Sequence, residues 1–190
     1  TASRTFTING VPEAPTVVIL PDPALTTSDL TASVTEGSDP EGDSQAFAYQ
    51  WSKDGLLQSG FPGDSVPNTA TAKGEEWTVR VIPSDDYGSG PLGEASIQIG
   101  NTPPVASAVA ISPTNPTVND PLVCTYTYAD DDSDGDASRI EWTVGTQVVG
   151  TGANLPASSF QKGDSVVCTV TANDGEEDGN SEFDSVTVLN

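Results

Sequence analysis

The sequence predicts an all-β fold of two tandem β-sandwich domains, on three observations. The chain repeats itself at an offset of roughly 90 residues. Apolar and polar residues alternate over short stretches bounded by Gly, Pro, Asn and Asp, as in half-buried strands. No stretch carries the apolar period of an amphipathic helix of useful length. With 190 residues, 35% of them hydrophobic and only 6% aromatic, the core material suits two small domains better than one large one. The expected division is residues 1–10 as a lone strand, 11–100 as the first repeat and 101–190 as the second.

In chain order, Thr5-Phe6-Thr7-Ile8-Asn9 has the alternation of a closing strand. It reads either as the last strand of a preceding copy or as a leader strand that pairs within this chain or inserts into a neighbouring copy. The repeat then runs in register: Asn9 matches Asn101, Ile19-x-Pro21 matches Ile111-x-Pro113, Leu30-x-Ala32 matches Leu122-x-Cys124, and Trp51 matches Trp142. Farther on, Lys73-Gly74-Glu75 matches Lys162-Gly163-Asp164, Thr78 to Val81 matches Val167 to Val170, and Ser84-Asp85 matches Asn173-Asp174. Each copy closes on an alternating strand, Ser96 to Ile99 and Ser185 to Val188. Asn101-Thr102-Pro103-Pro104 is a short linker stiffened by proline, which predicts semi-rigid spacing of the repeats.

Composition narrows the function. Asp and Glu number 28 against 6 Lys and Arg, a formal net charge of -22, so the chain has nothing with which to neutralise phosphates and nucleic acid is excluded as a partner. Such a chain suits cations, basic surfaces, or simply water at high salt. Histidine is absent, which removes the commonest general base and the commonest ligand for zinc and copper, and leaves hard, oxygen-seeking ions. No apolar run is long enough to cross a membrane as a helix, these residues carry no signal-peptide pattern, and the expectation is an excerpt of a mature exported protein. An enzyme is not expected. Serine and threonine lack an activating histidine, and the carboxylates sit in polar, Gly-rich loops instead of the apolar pocket that glycoside hydrolysis needs.

In the second repeat, Cys124, Trp142 and Cys168 fall in the order and approximate spacing of the sheet-bridging cysteines and core tryptophan of an immunoglobulin-type sandwich. Two cysteines without a CxxC pattern or a histidine favour a structural disulfide and an oxidising compartment. The first repeat has Ala32 and Val79 at the matching positions. There Trp77, in phase with Val79 and Val81, points inward where the second repeat has the slimmer Val166. Trp51, Trp77 and Trp142 are therefore expected in the two cores.

Asp-Pro-Glu-Gly-Asp at 39–43, Tyr49-Gln50-Trp51-Ser52-Lys53-Asp54-Gly55, Lys73-Gly74-Glu75 followed by Trp77-Thr78-Val79, and the closing Ile99-Gly100-Asn101-Thr102-Pro103-Pro104 together resemble the tandem immunoglobulin-like or cadherin-like repeats of large bacterial surface and secreted proteins. The resemblance covers nearly the whole chain. It implies a non-enzymatic extracellular spacer or adhesive stalk, many examples of which are stiffened by calcium, with neighbouring repeats or copies of itself as partners. The first repeat departs from uniform rigidity by lacking the cysteine pair.

Five carboxylates in seven residues, Asp130, Asp131, Asp132, Asp134 and Asp136, repel one another unless a cation or wide solvation offsets them. The spacing Asp130-x-Asp132-x-Asp134-Gly135 with Glu141 matches an EF-hand loop, but strands flank it, so the expectation is a calcium site in a loop between strands. A sandwich of this type brings the second-to-third and sixth-to-seventh strand loops to one end. The predicted ligand sets are thus Asp130, Asp132, Asp134 and Asp136 with Asp174, Glu176, Glu177 and Asp178 beside Asn101, and Asp39, Glu41 and Asp43 with Asp85 and Asp86 beside Asn9. Two other readings stay open. The carboxylates solvate a surface protein, or the acidic loop end recognises a cell-surface glycan or protein, with Tyr87 and Phe61 as loop aromatics free to stack on a sugar.

Overall fold

A computed structural model describes residues 10–189. The chain divides at Gly100/Asn101 into two compact units. The opening strand expected at 5–9, with Asn9, lies outside the described residues.

In the first unit, β1 (Thr16–Leu20), β3 (Leu30–Thr35) and β6 (Ser65–Val66) form one sheet in the order β1-β3-β6. The second sheet has the order β2-β8-β7-β4-β5 and is built from β2 (Ala24–Leu25), β4 (Ala46–Lys53), β5 (Leu56–Leu57), β7 (Glu76–Ser84) and β8 (Gly93–Gly100). All pairs are antiparallel except β2 with β8. The second unit repeats the plan. β9 (Val105–Ser112), β10 (Leu122–Ala129) and β13 (Asn154–Leu155) make the sheet β13-β10-β9; β11 (Arg139–Val144), β12 (Gln147–Thr151), β14 (Ser165–Asn173) and β15 (Asp178–Thr187) make the sheet β12-β11-β14-β15. Each unit is an immunoglobulin-like sandwich, and the fold is all-β.

Alternation explains which residues meet between the sheets. On β7, Trp77, Val79 and Val81 are buried while Glu76 and Arg80 are exposed, and on β14 the buried set is Val166, Cys168, Val170 and Ala172. Trp51 pairs with Val79 and Trp142 with Cys168, so the two cores share one register. Both indoles are buried and solve the same problem, an N–H that needs an acceptor: Trp51 Nε1 donates to Gly63 O at 2.9 Å and Trp142 Nε1 to Gly152 O at 2.8 Å. Cys124 and Cys168 are bonded across the second sandwich with Cα atoms 6.4 Å apart.

Two glycines in matching places allow the chain to close each unit. A Cβ on Gly90 would lie 1.9 Å from Pro12 O, and one on Gly179 would lie 1.7 Å from Pro104 O. No other residue fits so near a backbone carbonyl. The turns before β7 and β14 also correspond: Gly74 (φ 85) and Gly163 (φ 86) donate to Ile99 O and Val188 O.

Candidate metal centre

β10 ends at Ala129, and the chain then folds on Asp130. Its Oδ1 accepts the backbone N–H groups of Asp132 (2.9 Å) and Asp134 (2.8 Å), which turns the acidic run back on itself. At the end of β14, Asp174 does the same, its Oδ1 accepting from Glu176 and Glu177 at 2.7 Å each, while its Oδ2 accepts from the Asn101 side chain at 2.7 Å. Because both loops leave the same end of the sandwich, carboxylate oxygens of Asp130, Asp134 and Asp174 lie within 4.8 Å of one another. Two oxygens on opposite sides of a calcium ion, each at about 2.4 Å, are separated by about that distance. The triad can hold a metal ion.

Its electrostatics suit a cation. Asp174 is 8% exposed, and its carboxyl is held down at about 2, first by the Asn101 hydrogen bond and then by the amides of Glu177 and Glu176, so it stays ionised at neutral pH. Asp130 Oδ2 is buried and takes no hydrogen bond, and the hydroxyls of Tyr128 and Thr102 are likewise buried without a partner. An acceptor left bare in the interior is costly unless a donor or an ion reaches it. Burial pushes the Tyr128 hydroxyl up, and the charges of Asp130, Asp174, Asp136 and Asp134 add to the shift.

The other predicted ligands divide. Asp132 Oδ2 accepts the Thr102 N–H at 2.7 Å, tying the start of the second unit to the loop. Asp136 turns away: it is exposed, accepts the Tyr126 hydroxyl at 2.8 Å and the Ser138 N–H at 2.9 Å, and is not in the triad. The Ser138 and Tyr126 bonds hold its carboxyl low against the opposing effect of burial. Asp178 pairs with Arg139 and Asn173, and Glu176 and Glu177 are exposed. Glu141 is exposed beside the buried Trp142, so it does not complete an EF-hand ligand set. Tyr128 and Thr102 were not in the predicted set, because an alternating tyrosine in a strand and a threonine in a linker give no signal of where their hydroxyls end.

The first unit has the same loop geometry with fewer converging charges. Asp39 Oδ1 accepts from Glu41, Gly42 and Asp43 at 3.1, 2.8 and 3.1 Å, and Asp85 Oδ1 accepts from Tyr87 and Gly88 at 2.8 Å each. Glu41 Oε2 accepts the Gly10 N–H at 2.9 Å, as Asp132 does for Thr102. Asp39 Oδ2, Asp85 Oδ2 and Gln45 Oε1 are buried without a hydrogen bond. Asp43 and Asp86 are exposed, and among the described residues three carboxylates come together only in the second unit. Phe61 is not a free loop aromatic: its ring packs edge-on against Trp77 at 5.9 Å, because the loop after β5 folds over the core. Tyr87 is 69% exposed.

No family model matches the chain, and no curated protein matches it in sequence. Three solved structures are similar in fold. The two-domain fibronectin type-III segment of chicken tenascin covers 94% of this chain and 100% of its own, at 10% identity and TM-score 0.44. The chicken interferon gamma receptor alpha chain covers 96% and 100%, at 10% identity and TM-score 0.48. The three N-terminal domains of the bacteriophage RB49 highly immunogenic outer capsid protein align over 93% of this chain at 17% identity and TM-score 0.39, and this chain spans 58% of that structure. The likeness is one of fold alone.

Proposed function

We propose that the chain is a non-enzymatic extracellular spacer or adhesive repeat whose second unit is loaded and stiffened by calcium at Asp130, Asp134 and Asp174. The observation that carries this is the convergence of three carboxylates from two loops within 4.8 Å, with a buried Asp130 oxygen that no donor reaches. Asn101 and Thr102, at the start of the second unit, hydrogen-bond to Asp174 and Asp132, so an ion that ends the repulsion between the loops also fixes the entering chain. The disulfide supports an oxidising, extracellular setting. Calcium is preferred over magnesium because its flexible shell of six to eight oxygens suits a crowded multi-carboxylate loop better than magnesium's strict octahedron.

Calorimetry and thermal melting test this, with calcium, magnesium and a chelator, on the wild type and on Asp130→Asn/Asp134→Asn. The expected outcome is calcium-binding heat and a second-unit stabilisation of about 2.7 kcal/mol at a hundredfold excess over Kd, both lost in the variant and weaker with magnesium. An unchanged melt and no heat would leave the carboxylates as solvation. The exposed Tyr87, on the loop that carries Asp85, would then favour the acidic loop end as a glycan- or protein-recognition surface.

A further inference from the structure

A buried oxygen that no donor reaches is costly unless an ion or a water supplies the missing partner. Among the described residues, Asp130 Oδ2 and the hydroxyls of Tyr128 and Thr102 are three such atoms, and they belong to the second unit. The other three, Asp39 Oδ2, Gln45 Oε1 and Asp85 Oδ2, all belong to the first. Two are carboxylate oxygens and one is an amide carbonyl, so each accepts and none can satisfy another.

Strand register brings these atoms to one end of the first sandwich. Ala46 pairs with Ser84, so the antiparallel order of β4 and β7 continues with Gln45 opposite Asp85. Alternation turns both towards the core, in phase with the buried Trp51 on β4 and with Val81 and Pro83 on β7. Gln45 Nε2 donates to Gly37 O at 2.7 Å, two residues before Asp39, so its amide reaches from the side of Asp85 to the loop of Asp39.

Each of the three groups is held by its other polar atom. Asp39 Oδ1 takes the amides of Glu41, Gly42 and Asp43, and Asp85 Oδ1 takes those of Tyr87 and Gly88, which leaves the second oxygen of each carboxylate buried and bare. The Gly37 bond does the same for Gln45, fixing the amide and leaving its carbonyl. The entering chain lies over both loops: Glu13 N–H donates to Ser38 O at 2.9 Å, and Val11 Cγ1 is 3.0 Å from where a Cβ on Gly88 would stand. It shields from water oxygens that would otherwise be solvated at the loop surface.

We infer that the first unit binds a calcium ion of its own through Asp39 Oδ2, Asp85 Oδ2 and Gln45 Oε1. A single water has two protons for these three acceptors and leaves the charges of two carboxylates unopposed, whereas a cation answers all three and cancels the repulsion. A donor set of oxygens alone selects a hard ion, and calcium's flexible shell accepts an amide carbonyl beside carboxylates, with waters completing it. The exposed Asp43 is not a ligand; Gln45, a neutral residue that charge density passes over, takes the third place. With two carboxylates where the second unit brings three, the site is the weaker of the two, with Kd on the order of 0.1–1 mM, in the range of extracellular calcium modules.

Calcium titration of the full chain, followed by backbone amide NMR, tests this apart from the second-unit site. In the Asp130→Asn/Asp134→Asn background, saturable shifts should centre on residues 37–45 and 85–88. Asp39→Asn and Asp85→Asn each keep an Oδ1 to cap the loop and put an Nδ2 donor in place of the bare oxygen, so the first unit stays folded by thermal melting while its calcium affinity falls at least tenfold. No saturable shift in those segments up to about 10 mM calcium, tenfold above the weakest Kd expected, would overturn the proposal. So would shifts that neither variant weakens, or shifts that vanish in the Asp130→Asn/Asp134→Asn background. First-unit shifts in the wild type without any at residues 130–134 and 174 would uphold this site and sink the second-unit reading instead.

Discussion

The two units reach the same sandwich with different cores. Where the second bonds Cys124 to Cys168 over Trp142, the first has Ala32 and Val79 beneath Trp51. It makes up the volume with Trp77, whose ring meets Trp51 edge-on at 6.4 Å and Phe61 at 5.9 Å. The larger indole brings its own requirement. Trp77 Nε1 donates to Glu75 Oε2 at 3.0 Å, while Lys53 pairs with Glu75 Oε1 at 2.9 Å. Glu75 Oε2 also accepts from Ala72 N–H at 2.9 Å, and at the equivalent turn of the second unit Asp164 makes the same backbone bond, accepting from Gln161 N–H at 2.7 Å. One fold is thus held by a constraint on the unfolded chain in one copy and by aromatic packing in the other.

The sharpest way to break the comparison is to remove the cross-link. Cys124→Ala/Cys168→Ala frees a loop spanning a sequence separation of 44, for which chain entropy predicts a loss of about 4 kcal/mol. Denaturant melts that resolve the units should show the second falling by that amount with the first unchanged. Equal losses in both would contradict the assignment of the disulfide's stabilisation to one unit.

Trp77→Val asks the converse question by installing the residue that the second unit uses at this position, Val166. Trp77 is 1% exposed, so the substitution removes buried ring area and leaves a cavity. The expected loss is about 2–3 kcal/mol, less than the ~3–5 of a Trp→Ala change, and confined to the first unit. If the first unit melts as before, the indole is not what offsets the missing bridge.

Alternation and the internal repeat made the fold class legible, because both depend on local residue order. The three tryptophans could be assigned to cores for the same reason. Other features depend on which backbones approach which. Gly90 and Gly179 occupy matching places, and their repetition was a usable signal; the need for it lies in Pro12 and Pro104, whose carbonyls sit where a Cβ would be. Nothing local marks Asn180 as the cap of Ala106. In the candidate site, charge density singled out a set of which the folded loops bring Asp130, Asp134 and Asp174 together, since carboxylates adjacent in sequence point different ways once the loop folds. Asp136 goes to Tyr126 and Asp178 to Arg139. Phe61 shows the opposite limit: a loop position looked exposed, and a partner 16 residues later in the chain, Trp77, covers it.

The smallest effect expected is also the most local. Asp174 drops from an ordinary 3.8 to about 2 in the folded unit, with the Asn101 hydrogen bond as the first cause. A carboxyl whose folded pKa lies below its unfolded value stabilises fully above the unfolded value, and loses that contribution as protons bind on the way down to the folded one. The second unit should therefore keep this contribution above about pH 4 and lose it progressively between about pH 4 and pH 2. Asn101→Ala should raise the Asp174 titration towards the ordinary range and narrow that window from below. Carboxyl NMR titration in chelator measures the first effect, and unfolding midpoints of the second unit against pH measure the second. If Asp174 titrates at the same pH with and without the Asn101 amide, the hydrogen bond is not what holds it ionised. The entering chain would then have lost its electrostatic tie to the triad.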